Sequence, residues 1–333
     1  MRVALVTDAW MPQINGVVRA LSRTVEEARG LGHDMHVVSP GKFRTVPCPT
    51  YPEIRLALWP FGGVGRMLDA AEPEAIHIAT EGPLGLAARR YCRKRGLPFT
   101  TSFHTRFPEY VSARTRLPTS WGYAAQRAFH APAERIMVTT PTLRQEMIDR
   151  RFPPPVLWTR GVDTELFRPR PKDPLDHLPR PVFTYVGRVA VEKNLDAFLG
   201  LDLPGSKVVI GDGPQLATLK ARYPDVHFLG TKTGEDLAAH FAASDVFVFP
   251  STTDTFGLVL LEALASGVPI AAFPVPGPQD VVNGNPVGAL DADLRAAALR
   301  AAEIPGQRCR DYALTFSWTN CAREFVANLE PVR

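Results

Sequence analysis

Two runs of alternating strand-like and helix-like segments, separated by one proline-rich stretch, constrain this chain more than any other feature. In the first run Val3–Thr7, Met35–Ser39, Ala75–Ile78, Phe99–Phe103 and Arg135–Thr139 are short apolar stretches of strand character. Val17–Arg29, Leu84–Arg95, Tyr123–His130 and Thr142–Arg150 have helical composition. Arg168–Pro174, continuing to Pro179 and Pro181, carries prolines too densely for a helix or a sheet interior, and predicts a linker over 168–181. Alternation then restarts. Val182–Val186, Ser206–Ile210, Val226–Leu229, Val246–Phe249 and Pro269–Ala272 predict strands; Asn194–Leu199, Gln215–Tyr223, Glu235–Ala242 and Phe256–Ser266 predict helices. Alternating β and α segments argue for a parallel sheet covered on both faces. The chain of 333 residues is long enough for roughly two such domains. The expected fold is α/β, with two Rossmann-like domains facing a central cleft.

Composition excludes several classes. A hydrophobic fraction of 45% and a charged fraction of 22% suit a soluble globular protein. No run of about 18 apolar residues is present, so no spanning helix is expected. Cys48, Cys92, Cys309 and Cys321 form no C-x-x-C pair, which suggests neither a zinc site nor a disulfide framework. Met1-Arg2 runs straight into the first strand without a signal-peptide pattern, and a cytoplasmic protein is expected. Charge is uneven. Residues 1–165 hold 22 Lys and Arg against 15 Asp and Glu; residues 166–333 hold 16 against 19. A basic first half suits an anionic partner: nucleic acid, a membrane surface or an acidic substrate. A solvated basic face with no partner explains the split equally well.

Chemistry concentrates in Ser251–Pro269, STTDTFGLVLLEALASGVP. Asp254 and Glu262 flank a helix start at Phe256-Gly257-Leu258, just after the apolar run Val246–Pro250. Open α/β sheets place ligands at this end of their strands. The unpaired N–H groups of a helix start suit phosphate or a polar sugar. Glu262 lies further along and would reach something longer, such as a ribose. An isolated D-x7-E reads more simply as a capped helix with a solvated acid, but its strand–turn–helix setting favours the ligand reading. Gly187-Arg188, followed by Glu192-Lys193-Asn194, leaves the first strand after the proline-rich stretch. Arg188 and Lys193 can converge on a diphosphate. Pro12–Val17 follows the first strand of the chain, and Gly16 would let the backbone approach a phosphate. G-x-G-x-x-G is absent there, and Gly211-Asp212-Gly213 has Leu216 where its third glycine belongs, which counts against a dehydrogenase.

The acid–seven–acid segment, taken with Gly187-Arg188…Glu192-Lys193-Asn194, resembles family 4 of the retaining glycosyltransferases, which have the GT-B fold. Aspartate at position 254, where many members have Glu, resembles the branch with glycolipid-synthesising enzymes and mannosyltransferases. The resemblance covers nearly the whole chain. It implies that Asp254 holds the donor sugar, Glu262 the nucleotide ribose, and Arg188 and Lys193 the leaving diphosphate, with Gly16, Phe256, Gly257 and Leu258 also at the donor. Ser102-Phe103-His104-Thr105 ends a strand where the family has a histidine at the reacting centre, so His104 is placed there. Thr159–Asp163 with Phe167 resembles the family's element before the interdomain crossover and is assigned to structure. The resemblance further implies that the helix near Trp318–Leu329 returns to the first domain. The expected boundaries are 1–167 with 316–333 for an acceptor-binding domain and 182–315 for a nucleotide-sugar domain.

The implied reaction is metal-independent and retaining, with a nucleotide-diphosphate sugar as co-substrate and no other cofactor. A uridine diphosphate sugar is the first expectation and GDP-mannose the second. The expected acceptor is a membrane lipid such as diacylglycerol; with GDP-mannose as donor, the alternative is a glycan or another lipid-linked acceptor. Glu81 would line the acceptor side. Arg89, Arg90, Arg93 and Lys94, with Arg95, Arg106, Arg114, Arg116 and Arg127 and the aromatics Trp121 and Tyr123, would meet an anionic membrane from the cytoplasmic side. Cations near a helix C-terminus are favoured by its dipole in any case. No nucleic-acid motif occurs, and no nucleic-acid partner is expected. A nucleotide-sugar-binding module without transfer is the alternative of another class; slow donor hydrolysis separates the two.

Overall fold

The computed structural model describes residues 1–13, 15–48 and 51–332, without the side chains of residues 51–53, 110, 113 and 114. Ile14 of the first glycine loop and the Arg114 side chain therefore lie outside the described residues. The chain forms two compact units, Met1–Arg160 with Trp318–Arg333, and Gly161–Ser317.

The first unit is built on a six-stranded parallel sheet. Its strands are β1 (Arg2–Val6), β2 (Asp34–Val38), β5 (Ala75–Ile78), β6 (Thr100–Ser102), β7 (Arg135–Val138) and β8 (Pro155–Leu157), in the order β2-β1-β5-β6-β7-β8. Every residue of β5 is buried, which a strand covered on both faces requires. Ala4 and Val6 share one cluster with Ile76, Ile78, Leu84 and Ala88. Because β1 lies between β2 and β5, strand order reverses beside it, and loops after β1 and β5 diverge there. An antiparallel hairpin of β3 (Thr45–Cys48) and β4 (Tyr51–Ala57) precedes β5, and the sequence reading did not find it. Pro47 and Pro52 argue against a strand interior, but a two-stranded ribbon has free edges where a missing N–H costs little.

As expected, the last helix, Trp318–Ala327, belongs to the first unit. Phe325 is fully buried against Trp158 and His77, each ring centroid 5.0 Å away. Asn328 Nδ2 donates to Leu157 O at 2.7 Å, and Arg135 meets Glu330 at 2.9 Å. Burying a phenylalanine contributes roughly 1.5–3 kcal/mol, so Phe325 alone holds the helix firmly.

The second unit repeats the plan. Strands β9 (Val182–Val186), β10 (Ser206–Ile210), β11 (His227–Phe228), β12 (Val246–Phe249), β13 (Ile270–Ala272) and β14 (Gly288–Leu290) run parallel in the order β11-β10-β9-β12-β13-β14. β9 shows why its sequence is apolar throughout. Val182 and Val186 enter one core cluster, Phe183 and Tyr185 the other. Strand order reverses between β9 and β12. The proline-rich stretch runs along this unit as a strap. Leu175 and Leu178 reach its core, and Asp245 receives Lys172, Arg180 at 2.6 Å and the Val182 N–H at 2.7 Å. Despite the burial cost, which raises it, these partners hold the Asp245 carboxyl below the usual range.

All five tryptophans, at 10, 59, 121, 158 and 318, belong to the first unit, so their fluorescence reports its unfolding. A Cβ at Gly85 would stand 1.9 Å from Thr80 O. Gly85→Ala is therefore expected to destabilise the first unit by about 1–3 kcal/mol, read as a lower urea midpoint of tryptophan fluorescence. An unchanged midpoint contradicts that close approach.

Candidate active site

In the second unit the site forms where β9 and β12 part. Gly187 follows β9 and its φ of 152° leaves no room for a side chain: a Cβ would meet Tyr185 Oη at 2.7 Å. Tyr185 Oη donates to Arg188 O at 2.9 Å, which fixes the backbone under the Arg188 side chain. The neighbouring loop after β10 nests against this turn. A Cβ on Gly211 would lie 1.8 Å from Gly187 O, and one on Gly213 2.4 Å from Val189 O. Gly211 and Gly213 thus shape the Arg188 loop, a role the search for a dinucleotide fingerprint did not anticipate.

Lys193 closes a single 3-10 turn, Val191–Lys193, that ends at Asn194 in the left-handed conformation, φ 54°. Asparagine tolerates that conformation, and its Nδ2 donates to Pro250 O at 3.2 Å. Thr253 Oγ1 donates to Glu192 O at 3.4 Å. These ties bring the loop after β9 onto the loop after β12. Lys193 Nζ then reaches both oxygens of Asp254, at 2.6 and 2.9 Å, with both side chains about four-fifths buried. The sequence placed both residues at one ligand, and the structure brings them into direct contact.

Three residues beyond Asp254, Gly257 adopts φ 85° and precedes the helix Leu258–Ala265. No side chain caps this helix start, so its first N–H groups remain the anion-facing kind. Phe256 is buried in the core and anchors the turn. Gly277 packs against it: a Cβ there would stand 3.1 Å from both Asp254 O and Phe256 O. Glu262 lies in the second turn of the same helix, with only 5% of its surface exposed. One D-x-D triplet does occur, Asp291-Ala292-Asp293. Asp293 Oδ1 caps a helix by accepting from Arg295 N at 2.9 Å, and Asp291 pairs with Arg300 at 2.7 Å. Both acids are thus engaged in local structure.

In the first unit the residues after β1, β5 and β6 form a polar network. Asp8, which the sequence reading passed over, sits at the end of β1. Its carboxylate accepts from Leu84 N at 3.0 Å, Gly85 N at 3.4 Å and Thr80 Oγ1 at 3.0 Å. It thereby caps the helix Pro83–Arg95, whose own N-cap is Gly82. A Cβ at Gly82 would lie 2.4 Å from the Asp8 carboxyl carbon. Burial pushes the Asp8 carboxyl up, against the pull of its hydrogen bonds. Glu81 instead accepts from Gln126 Nε2 at 3.1 Å and meets His130 Nε2 at 3.3 Å. Gly16 is exposed at the start of its helix, where Asn15 Oδ1 already accepts from Val18 N at 3.0 Å.

His104 follows β6, as its strand-end place suggested. Its Nε2 lies 2.9 Å from Ser102 Oγ, and its Nδ1 lies 3.4 Å from Arg160 Nη2. Ser102 Oγ is also 3.1 Å from His77 Nε2, and His77 Nδ1 is 2.9 Å from Thr100 Oγ1. Burial, reinforced by Arg160 and His130, pushes His77 down to about 3. Burial, Arg160 and the other two histidines hold His104 well below the ordinary imidazole range.

The basic cluster divides. Arg89 donates to Phe129 O and Ala128 O, both at 2.8 Å, and Arg95 pairs with Asp69 at 2.7 Å. Arg106 pairs with Glu146 at 2.6 Å, Arg127 donates to Arg150 O at 3.3 Å, and Tyr123 is buried, donating to Glu109 at 2.6 Å. Arg90 lies over the Phe61 ring at 5.9 Å, and Arg90, Arg93, Lys94 and Arg116 are exposed. Trp121 is 69% exposed and Trp59, which the sequence did not single out, 89%.

Two units, each a doubly wound parallel sheet covered by helices, are the architecture of the GT-B glycosyltransferases. Residues 14–166 match the family model described as Glycosyltransferase Family 4, and residues 180–303 match Glycosyl transferases group 1. Over its full length the chain is 30% identical to a GDP-mannose-dependent alpha-mannosyltransferase of Mycolicibacterium smegmatis, covering 98% of that protein. It is 30% identical to a sulfoquinovosyl transferase of Arabidopsis thaliana over 72% of this chain and 50% of that protein. Its fold matches a sucrose-phosphate synthase from Thermosynechococcus elongatus with a TM-score of 0.78, at 20% identity over 98% of this chain and 97% of that one. The chain belongs to glycosyltransferase family 4. It is a sugar transferase that takes a sugar-nucleotide donor.

The buried histidines carry a pH signature. His77 binds its proton less readily when folded than when unfolded, so folding expels protons below the unfolded value near 6.5. First-unit stability should rise with pH from about 3 to 6.5. Replacing His77 with Gln, which keeps hydrogen-bonding capacity, should flatten that slope in urea titrations followed by tryptophan fluorescence. An equal slope in both proteins contradicts the burial account.

Proposed function

We propose that the protein is a retaining hexosyltransferase that moves mannose from GDP-mannose to a lipid-linked acceptor at a membrane surface. The bidentate Lys193–Asp254 pair at the β9–β12 switch point carries this reading. Full-length similarity to GDP-mannose-dependent transferases supports placing that donor ahead of the uridine donors the sequence first suggested.

In the proposed reaction the sugar C1–O bond to the diphosphate breaks. A bond from C1 to the acceptor oxygen forms on the same face, and the acceptor's proton passes to the departing phosphate oxygen. Lys193, Arg188 and the N–H groups at Gly257 and Leu258 stabilise the charge that develops on the diphosphate. Asp254 accepts hydroxyl hydrogens of the sugar, and Glu262 those of the ribose. No metal is needed, because cationic side chains and the helix start supply the positive charge. The first unit takes the acceptor, and His104, Gly16 and Glu81 are its proposed ligand-binding residues. A few kcal/mol of Lys193–Asp254 attraction is largely offset by the cost of desolvating the pair, so an arriving diphosphate can share the lysine.

A second reading keeps a uridine diphosphate sugar as donor and diacylglycerol as acceptor. It is favoured by similarity to the sulfoquinovosyl transferase and, at 25% identity, to an alpha-monoglucosyldiacylglycerol synthase of Streptococcus pneumoniae. Among the described residues no helix is long and apolar enough to cross a membrane. Both readings use peripheral contact with an anionic cytoplasmic surface. The exposed Arg90, Arg93 and Lys94 and the aromatics Trp59, Phe61 and Trp121 suit such contact, each cation contributing about 1 kcal/mol near the surface.

Thermal unfolding against a panel of nucleotide sugars decides the donor: GDP-mannose should protect the protein and UDP-glucose should not, whereas the reverse selects the second reading. Lys193→Ala should lower kcat roughly 10²-fold or more, while Glu262→Gln should mainly raise the donor KM. Near-normal kinetics in both variants would remove the assignment. With vesicles, binding should rise with anionic lipid, fall with salt, and weaken when Arg90, Arg93 and Lys94 are neutralised together. Transfer to soluble sugars without any vesicle binding overturns the lipid acceptor.

A further inference from the structure

Arg160 has no role in the reaction just described, yet among the described residues of the first unit it is the most deeply placed Arg or Lys, only 4% exposed. It follows β8 and is immobilised from several sides. Nη1 donates to Trp158 O at 2.9 Å and Thr159 O at 2.8 Å, and the guanidinium carbon lies 4.1 Å from the centre of the Trp158 ring. The segment beneath it is bolted to the last helix. Thr159 donates through N and Oγ1 to Glu324 at 2.8 and 2.7 Å, and Cys321 Sγ donates to Thr159 O at 3.1 Å. The remaining guanidinium edge, Nη2, faces His104 Nδ1 at 3.4 Å.

A guanidinium offers donors only. Opposite it, His104 Nδ1 must present its lone pair, so the ring's single proton sits on Nε2. That proton points at Ser102 Oγ, 2.9 Å away. Ser102 accepts it and keeps its own hydrogen for Ala79 O at 3.3 Å or His77 Nε2 at 3.1 Å. A second proton on His104 would have to enter between Nδ1 and a fixed positive charge.

We propose that Arg160 is a positioning residue that holds His104 as the neutral tautomer protonated on Nε2, so that His104 serves transfer as a fixed dipole and not as a proton carrier. The charged and titratable groups around the ring agree with this. His77 on β5, joined through Ser102, and His130 on the helix Thr119–His130 both disfavour a further cation. The nearby acids act elsewhere: Glu81 on His130 and Gln126, Glu324 on Thr159. Burial and the Arg160 charge both push the His104 imidazole down. The ring-state claim stands on the first unit alone; the part concerning transfer rests on the proposed ligand-binding role of His104.

The test is ¹⁵N spectroscopy of the histidine rings in the full chain, with His104→Gln to assign the signals. Wild type should show His104 as an untitrated Nε2–H ring from pH 5 to 8. Arg160→Met should raise its titration and admit the Nδ1–H tautomer, with burial still favouring the neutral ring. Arg160→Lys, which restores a donor-only cation, should restore the Nε2–H ring alone. An Nδ1–H tautomer or a normal titration in wild type, or an Arg160→Met ring unchanged in both tautomer and titration, overturns the proposal. Should Arg160→Met fail to fold, the wild-type spectrum still decides. If wild type leaves GDP-mannose intact while the ring remains an untitrated Nε2–H species, the lock stands and the donor reading falls.

Discussion

The second unit depends on one contact, the ammonium of Lys193 held by both oxygens of Asp254. The two residues lie 61 positions apart and come together only because β9 and β12 are neighbours. β9 is the first strand of its sheet and is flanked on one side by β10 and on the other by β12. At such a reversal the following loops turn away to opposite faces and leave a crevice between them. The ion pair bridges that crevice, and Asn194 to Pro250 supports it from one side. Glycines do the rest. Gly187, Gly211 and Gly213 let two loops nest within backbone contact, and Gly277 lets a third approach the Asp254 turn. The fold thus sets the charges of this crevice in advance, which suits the proposed stabilisation of charge on a diphosphate.

The first unit solves the same topological problem with hydrogen bonds. Its reversal lies beside β1, and the group placed there is a carboxylate, Asp8, that receives N–H groups from the helix after β5. The positive end of that helix is therefore neutralised internally. Deeper along the sheet, His77, Ser102, His104 and Arg160 form a chain of polar contacts. A buried network of this kind is costly if any member is left unsatisfied, so it fixes proton positions as well as atoms. The last helix completes it by clamping Thr159 from the outside of the sheet. That gives the crossing helix a role beyond covering apolar surface.

Much of this was legible from the chain. Strands such as Val182–Val186 and Val246–Phe249 are apolar at every position, so their limits follow from composition alone. Asp254, Gly257 and Lys193 stand where strands end, and strand ends are where side chains from distant segments meet. The hairpin at β3–β4 was not legible, because its prolines signal a break. Asp8 and Arg160 were missed for another reason. Each acts through a partner more than 50 residues away, Leu84 for one and His104 for the other. A single sequence does not show which distant residue will be neighbour to which. Gly82 and Gly85 gave a faint signal: two glycines at a helix start imply that something approaches closely, without saying what.

The charge split illustrates how far composition carries. The seven-charge excess of the first half suggested an anionic partner. The structure withdraws part of that excess from solvent. Arg89 closes the end of the helix Thr119–His130, Arg106 serves Glu146, and Arg160 is buried beside His104. Among the residues that stay exposed are Arg90, Arg93 and Lys94 on one helix, with Phe61 beneath Arg90 and Trp59 near it in sequence. Trp59 holds a left-handed backbone, φ 50°, while exposing most of its ring. A large apolar side chain kept in water by an unfavourable backbone is expensive for a free surface. It becomes reasonable where an interface takes up the ring, since indole favours the boundary between lipid and water. Charge count pointed to a whole half of the molecule; burial and backbone geometry leave a smaller set of exposed cations and rings for the proposed membrane contact.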